Sequence, residues 1–197
     1  EPEGVELTWH WQPQEDWAVL WRRGLGPRKI TPRILVAPTW DAPTPDPGVH
    51  RILLDPGMAF GTAEHATTRG CLRLMDPRVS SGARIADVGA GSGILSIAAA
   101  LLGASRVAAV EMDAISCQVA RENARANGVE DRIEVLEMSV EGAEPLPSAP
   151  FDGVVANLQS SLVLPLLAAL RESLAPGGWL ILSGILQEEV ALVLEAA

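Results

Sequence analysis

Few of the features that mark secreted, membrane-spanning or disulfide-linked proteins occur in this sequence. Its 197 residues include two cysteines, Cys71 and Cys117, which cannot form a metal cluster and do not suggest a disulfide framework. No stretch approaches the ~20 uninterrupted apolar residues of a membrane-spanning helix. The first residues, Glu-Pro-Glu-Gly, lack the basic region and the apolar run of a secretory signal. We therefore expect a cytoplasmic protein without a membrane anchor.

Positive charge is also scarce. The chain has 15 Lys and Arg against 25 Asp and Glu, which gives a net charge of −10. Proteins that bind nucleic acids use a basic surface to neutralise phosphates, so this balance argues against direct nucleic-acid binding. The acidity would suit a basic protein partner, although a role in solubility is the favoured explanation. Hydrophobic residues make up 48% of the chain, which excludes a disordered polyelectrolyte.

Composition divides the chain near residue 50. Residues 1–50 hold five of the six Trp and eight of the 15 Pro. The Trp side chains are interpreted as packing surface, with a ligand platform as the alternative. The segment Asp41–Gly48 contains three prolines and predicts a linker or a long surface loop, because proline removes backbone donors and breaks helices.

Beyond residue 84, short apolar strands alternate with helices. Such alternation predicts an α/β fold with a mostly parallel, twisted sheet and helices on both faces. Asp113 is a plausible N-cap and Asn127-Gly128 a helix terminator. The predicted strands are 84–88, 106–110, 133–136, 151–156 and 179–183, and the predicted helices are 67–75, 92–102, 113–127, 162–174 and one starting at 187.

A glycine-rich loop follows the first of these strands. Gly89, Gly91 and Gly93 occupy every second position, whereas the dinucleotide fingerprint G-x-G-x-x-G spaces its last two glycines more widely. No Gly-Lys-Ser/Thr follows, so the loop is not a phosphate-binding P-loop. The pattern predicts a tight turn that lets a nucleoside approach the backbone at the carboxyl end of a strand. Asp87, inside the apolar strand, is interpreted as ordering this loop by accepting hydrogen bonds from its N–H groups.

The second strand ends on an acid, Glu111. A carboxylate at this place in a nucleotide-binding sheet can accept hydrogen bonds from both ribose hydroxyls. Glu111 could also be a surface acid at the start of a helix. The glycine loop on the preceding unit favours the ribose role.

Together, the Asp87–Gly93 motif, Glu111 and the Leu174–Gly178 segment before a strand resemble the class I S-adenosylmethionine-dependent methyltransferases. The stretch Leu54–Thr68 is similar to the D-P-G-x-A-F-G-T-G-x-H-x-T-T segment of the ribosomal protein L11 methyltransferases. Two further segments, Phe151-Asp-Gly-Val-Val-Ala-Asn-Leu158 and Ser183-Gly-Ile-Leu186, resemble that family's F-D-x-V-V-A-N-[IL] and S-G-I-L. The resemblance runs from about residue 15 to 190, with Ala63 and Gln159 as departures.

The resemblance implies a Rossmann-like class I fold and S-adenosylmethionine as the cofactor. It also implies methyl transfer to lysine ε-amines of ribosomal protein L11, with the N-terminal α-amine as a second acceptor. Residues 1–50 would then be a remnant of the family's substrate-recognition domain plus a linker, and residues 51–197 a catalytic domain truncated at its C-terminus. The cofactor-binding positions that it implies are Thr68, Asp87, Gly89, Gly91, Gly93, Glu111 and Asn157.

Two residues are candidates for direct roles in transfer. Asn157 ends the fourth strand and would position the amine, although an Asn in a turn after a strand is common. Glu64 and His65 are candidates for proton transfer by proximity in sequence only, and for His65 loop ordering by a hydrogen bond is the favoured interpretation. Thr67 and Thr68 could instead cap a helix. No Ser-His-Asp or metal site is recognisable.

Three other functions remain open at this point. The first is a related class I methyltransferase acting on another protein's lysines or on a small molecule. The second is a nicotinamide-dependent oxidoreductase, which the glycine spacing opposes. The third is a non-catalytic module that binds cofactor or partner only.

Overall fold

The computed structural model describes residues 26–55 and 65–196, which contain eight strands and five α-helices. The predictions for residues 1–25, with four of the tryptophans, and for residues 56–64 lie outside the described residues. The strands are β1 (Arg28–Lys29), β2 (Ile34–Ala37), β3 (His50–Leu53), β4 (Arg84–Val88), β5 (Arg106–Glu111), β6 (Ile133–Glu137), β7 (Phe151–Asn157) and β8 (Leu174–Ser183). The helices are α1 (Ala66–Met75), α2 (Ile94–Leu102), α3 (Ala114–Ala126), α4 (Ser160–Glu172) and α5 (Val190–Ala196).

Five parallel strands form the central sheet in the order β6-β5-β4-β7-β8. The inner strands β4, β5 and β7 are runs of Val, Ile and Ala with buried centres, as a parallel sheet covered on both faces requires. The chain builds outward from β4 to β6 and then returns to the other side of β4 with β7. This reversal opens a crevice at the carboxyl ends of β4 and β7, which is where open α/β sheets bind ligands.

Helices cover both faces of the central sheet, as predicted. Ile85 and Val155 point into a core that they share with α1 and α2. Ala86 and Val154 point to the opposite face, into a core completed by α4 and by Val193 of α5. Successive strand residues therefore alternate between two buried layers, as the pleat of a strand dictates. No helix of the described residues is long and apolar enough to cross a membrane.

A second, three-stranded sheet packs beside the first core. Strand β1 is antiparallel to β2, and β2 is parallel to β3, so pairing extends across residue 50. Ile34 and Ile52 of this sheet are fully buried. Asn127, which caps the C-terminus of α3, donates from Nδ2 to the Leu53 carbonyl at 2.8 Å and accepts from the Leu53 N–H at 2.7 Å. The residue predicted to end a helix thus also holds the backbone of β3.

Most predicted element boundaries are confirmed, and one junction is wrong. Strands β4–β7 begin at the predicted residues 84, 106, 133 and 151, and 42–49 contains no helix or strand. Helix α4 begins and ends two residues earlier than predicted, and at its C-cap the Ser173 hydroxyl donates to the Ala169 carbonyl at 2.6 Å and accepts from the Leu146 N–H at 2.7 Å. Leu174 then pairs with β7, so Pro176 lies in an irregular part of β8 instead of ending the helix.

Candidate functional site

A cavity of about 780 Å³ opens at the carboxyl edge of the central sheet. It lies where the strand order reverses, and the residues that end β4, β5 and β7 contribute to its wall. Its lining includes His65, Thr67, Val88, Gly89, Gly91, Val110, Glu111, Met112, Ser116, Met138, Ser139, Val140, Asn157, Leu158, Gln159, Ser161, Leu162, Pro165, Leu166 and Gly184.

The glycine loop is needed for packing as well as for a turn. Gly89, Gly91 and Gly93 have φ values of +75°, +53° and +78°, a region that favours glycine. A Cβ atom at position 89 would lie 2.4 Å from Cδ2 of Leu158. From the sequence, these glycines are predicted to let a ligand approach the backbone closely. At Gly89 the close neighbour is instead the Leu158 side chain, which itself lines the cavity.

Leu158 is also fixed from its other side. Its N–H donates to the Ser183 carbonyl at 2.9 Å, which continues the pairing of β7 with β8 beyond Asn157. Gly184 has φ +84°, and a Cβ atom there would lie 2.6 Å from the Leu158 carbonyl oxygen. Two glycines therefore hold the segment that follows β7 against the mouth of the cavity.

Glu111 ties the glycine loop to the end of β5. Its Oε2 accepts from the Gly91 N–H at 2.9 Å, while Oε1 accepts from the N–H groups of Met112 at 2.9 Å and Asp113 at 3.0 Å. A carboxylate offers about four acceptor sites, so Oε2 keeps capacity for a hydroxyl donor from a ligand. The structure places Glu111 in the cavity wall, as the sequence predicted.

Asp87 lies directly behind this wall and is 1% exposed. The Ser96 hydroxyl of α2 donates to its Oδ2 at 2.7 Å, whereas Oδ1 has no hydrogen-bond partner. The observed donor thus belongs to α2, whereas the sequence predicted donors from the loop. Burial raises the pKa of the Asp87 carboxyl from 3.8 to about 6, and the negative charge of Glu111 adds to the rise.

Asn157 and Thr68 meet at the end of β7. The Asn157 Nδ2 donates to the Thr68 hydroxyl at 3.3 Å, and the Asn157 Oδ1 is buried without a partner. Thr68 is completely buried on α1, which packs against β7 and β8. Since a buried acceptor without a donor is costly, Asn157 is poised for a donor that arrives with a ligand.

The two threonines do not cap a helix. Helix α1 begins at Ala66 with His65 at its N-cap position, and the His65 side chain makes no capping hydrogen bond. Thr67 and Thr68 are therefore inside the helix, and the capping alternative is wrong. His65 lines the cavity together with Thr67, whereas the predicted cofactor-binding residue Thr68 is fully buried and lies behind the wall, where it contacts Asn157.

The apolar part of the wall was missed in the sequence. Met112 and Leu162 line the cavity although they are 72% and 54% exposed, and large apolar side chains at a rim suit a flat ligand ring. The signal that could have identified part of this set is position, because Met112 and 138–140 directly follow β5 and β6. The contribution of α4, which includes Leu162, depends on tertiary packing.

The cavity wall carries an acidic side chain and no basic Lys or Arg among the described residues. Glu111 is the acidic residue of its lining, the partnerless Asn157 Oδ1 is a further acceptor, and Asp87 lies behind them. No Lys or Arg lines the cavity in the part of the chain that the structure describes. The arrangement suits a ligand with hydroxyl groups, positive charge and an apolar ring.

Comparisons with known proteins agree with this geometry. The family model described as "Ribosomal protein L11 methyltransferase (PrmA)" matches residues 2–197. The chain is 46% identical over 185 residues to the "Ribosomal protein L11 methyltransferase" of Syntrophotalea carbinolica, which covers 92% of this chain and 59% of the relative. It is 40% identical over 188 residues to the protein of the same name from Symbiobacterium thermophilum, with 94% and 60% covered. The chain thus spans about three fifths of the length of these relatives.

Solved structures show the same fold. The crystal structure of a ribosomal protein L11 methylase from Lactobacillus delbrueckii subsp. bulgaricus has a TM-score of 0.76 and 33% identity, with 87% of this chain and 86% of that chain covered. A precorrin-6y C5,15-methyltransferase from Geobacter metallireducens has a TM-score of 0.57 at 19% identity, with 68% and 72% covered. The fold is therefore the Rossmann-like fold of class I methyltransferases, as the sequence predicted.

Proposed function

Because the chain belongs to the ribosomal protein L11 methyltransferase family, we propose that it is an S-adenosylmethionine-dependent N-methyltransferase. Its substrate is ribosomal protein L11, and the acceptors are lysine ε-amines, with the N-terminal α-amine as a second acceptor. The observation that carries the proposal is Asn157, whose buried Oδ1 lacks a donor beside the cavity at the reversal of strand order. The acidic chain, with a net charge of −10, suits a basic protein partner in the cytoplasm.

The residues around the cavity fit S-adenosylmethionine. Glu111 Oε2 can accept from a ribose hydroxyl while it still holds the Gly91 N–H. Met112 and Leu162 offer apolar surface for the adenine ring. The positively charged sulfonium supplies an activated methyl group, and no cation in the described lining opposes it.

Asn157 then orients the amine that receives the methyl group. Thr68 holds the Asn157 side chain from α1, so the amide oxygen stays directed at an incoming donor. A lysine amine has a pKa of about 10.4 and must be neutral to attack, and an apolar wall that desolvates the ammonium lowers that pKa. Positioning of two substrates supplies much of the rate in such transfers. His65, at the cavity wall, is the candidate that receives the released proton.

Recognition of the protein substrate is assigned to chain segments other than the central sheet. We propose that residues 1–50 form the end of the substrate-recognition region with its linker, and that residues 51–197 form the catalytic domain. The relatives are longer than this chain, which spans 59% of the first of them. Activity on the protein substrate therefore depends on how much of that region a given polypeptide contains.

Calorimetric titration tests the cofactor assignment. We expect saturable binding of S-adenosylmethionine and no binding of NAD. Glu111→Ala should weaken binding by about 10-fold to 100-fold, since a hydrogen bond to a charged group contributes about 1.5–3 kcal/mol. Glu122→Ala, an exposed acid on α3 that contacts Gln118, is the matched control and should bind normally. Binding of NAD but not of S-adenosylmethionine by the folded chain would contradict the proposal.

A second experiment tests the substrate. Ribosomal protein L11 is incubated with S-adenosylmethionine and a polypeptide that contains this chain within the full length of its relatives, and the L11 peptides are mapped by mass spectrometry. Methylated lysines in L11, but not in an equally basic control protein, are expected, and Asn157→Ala should remove them even at a saturating concentration of S-adenosylmethionine. Cofactor binding without methylation of L11 would overturn the substrate assignment and leave the cofactor assignment standing.

A further inference from the structure

A buried carboxylate beside the cavity is not explained by the fold. Asp87 is 1% exposed, and its Oδ1 has no hydrogen-bond partner. The salt bridges of the described part of the chain do not involve Asp87. They are Arg33–Asp76 and Arg106–Glu134. A buried charge without a cation is costly, and the hydrogen bonds that Asp87 receives all come from one neutral residue, Ser96.

The position of Asp87 connects it to the cavity. It is followed directly by Val88 and Gly89, which both line the cavity. In the sheet it pairs with Val155, so Asp87 lies on the same face as Asn157, two residues further along β7. The two partnerless acceptors of the described residues, Asp87 Oδ1 and Asn157 Oδ1, are thus on one face at the ends of adjoining strands.

Asp87 has no salt-bridge partner among the described residues, which is consistent with a cationic ligand in the cavity. The Glu111 carboxylate acts on Asp87 with a charge of the same sign, so it increases the unfavourable potential. A positive ligand in the cavity would supply the compensation that the protein lacks. In the low-dielectric interior this interaction is much stronger than in water.

We propose that Asp87 is a specificity-determining residue whose buried charge makes the site select the positively charged sulfonium donor over the neutral thioether left after methyl transfer. This inference rests on the proposed function. The donor and the product differ by one positive charge and one methyl group, so a residue that acts through charge changes their relative affinity. A residue that only ordered the glycine loop would change both affinities equally.

The titratable groups around Asp87 define the controls. Cys71 on α1 faces it, and burial raises the pKa of that thiol to about 11, so it stays neutral at ordinary pH. Glu111 faces it from β5, and His65 lies at the cavity wall. The α-amino group titrates differently in the two ligands because the sulfonium charge lies near it in only one, so wild type and variant are compared at the same pH, where this difference is common to both.

The test measures the dissociation constants of S-adenosylmethionine and S-adenosylhomocysteine by calorimetry with the whole chain, at pH 5 and pH 8. In the wild type, the preference for the sulfonium ligand should increase with pH as Asp87 loses its proton. Asp87→Asn should reduce the preference at pH 8 by about tenfold, which is less than two unit charges in contact would give at an effective dielectric constant of about 20, because Asp87 lies behind the cavity wall. It should also reduce the pH dependence, while Glu134→Gln, which removes an exposed charge from β6, leaves the preference and its pH dependence as in the wild type.

Each outcome has a definite meaning. An unchanged ratio in Asp87→Asn, or a wild-type ratio independent of pH, overturns the inference and leaves the proposed function intact. Failure of both ligands to bind the folded wild type overturns the proposed function itself. Partial misfolding of a variant does not affect the reading, because it alters the stoichiometry for both ligands and not their ratio.

Discussion

Replacing Asp87 with Asn should change the stability of the protein relative to the wild type increasingly in favour of the variant as pH rises. Burial raises the Asp87 pKa from 3.8 in the unfolded chain to about 6 in the native state. Between these values the native state binds more protons than the unfolded chain, so the free energy of unfolding of the wild type falls as pH increases. At about 1.36 kcal/mol per pKa unit, the full effect is about 3 kcal/mol.

Most of this loss of stability occurs in a pH range where unfolding can be measured. Linkage places about 2 kcal/mol of the loss between pH 4 and pH 8. Asn at position 87 cannot ionise, so the difference in stability between variant and wild type should grow by that amount over the same range. Urea denaturation at pH 4, 5, 7 and 8 measures it, and at about 2–4 °C per kcal/mol a thermal melt should show a relative shift of about 4–8 °C.

The pH dependence separates this effect from other consequences of the substitution. The Asn side chain brings an NH₂ group to a site where Oδ1 has no partner, and that cost is the same at every pH. The control is Asp152→Asn at an exposed position in β7, which accepts from a backbone N–H. A stability difference for Asp87→Asn that stays constant from pH 4 to pH 8 would refute the reasoning.

Two packing predictions follow from the same region and from the small sheet. Gly89→Ala should lower the free energy of unfolding by about 1–2 kcal/mol because of the positive φ and by about 1–3 kcal/mol because of the clash with Leu158. Combining it with Leu158→Ala should recover the clash portion in a double-mutant cycle. Strict additivity of the two substitutions in urea denaturation would argue against the clash. Asn127→Ala should destabilise by about 2–3 kcal/mol through loss of both hydrogen bonds to Leu53, whereas Gln118→Ala on the exposed face of α3 should change stability by less than about 0.5 kcal/mol. Equal effects of these two substitutions on the melting temperature would show that Asn127 does not hold the small sheet.

The central sheet was predictable because its signals are local. Apolar runs of a few residues, separated by helices with recognisable ends, mark β4–β7, and their first residues agree with the structure. The glycine loop and Glu111 were located for the same reason, since ligand sites of such sheets lie where strands end. The junction near Ser173 was wrong because the proline there is accommodated in an irregular part of β8, which depends on pairing with β7.

The sequence by itself determined the class of fold, the place of the cavity and the family, because these depend on short-range patterns and on motifs of fixed spacing. Tertiary structure alone decided which groups share that place. It set Leu158 against Gly89, joined Asn157 to Thr68 on α1, and enclosed Asp87 without a counterion. These contacts join residues far apart in the chain, and burial and electrostatic environment arise only when the strands and helices have packed together.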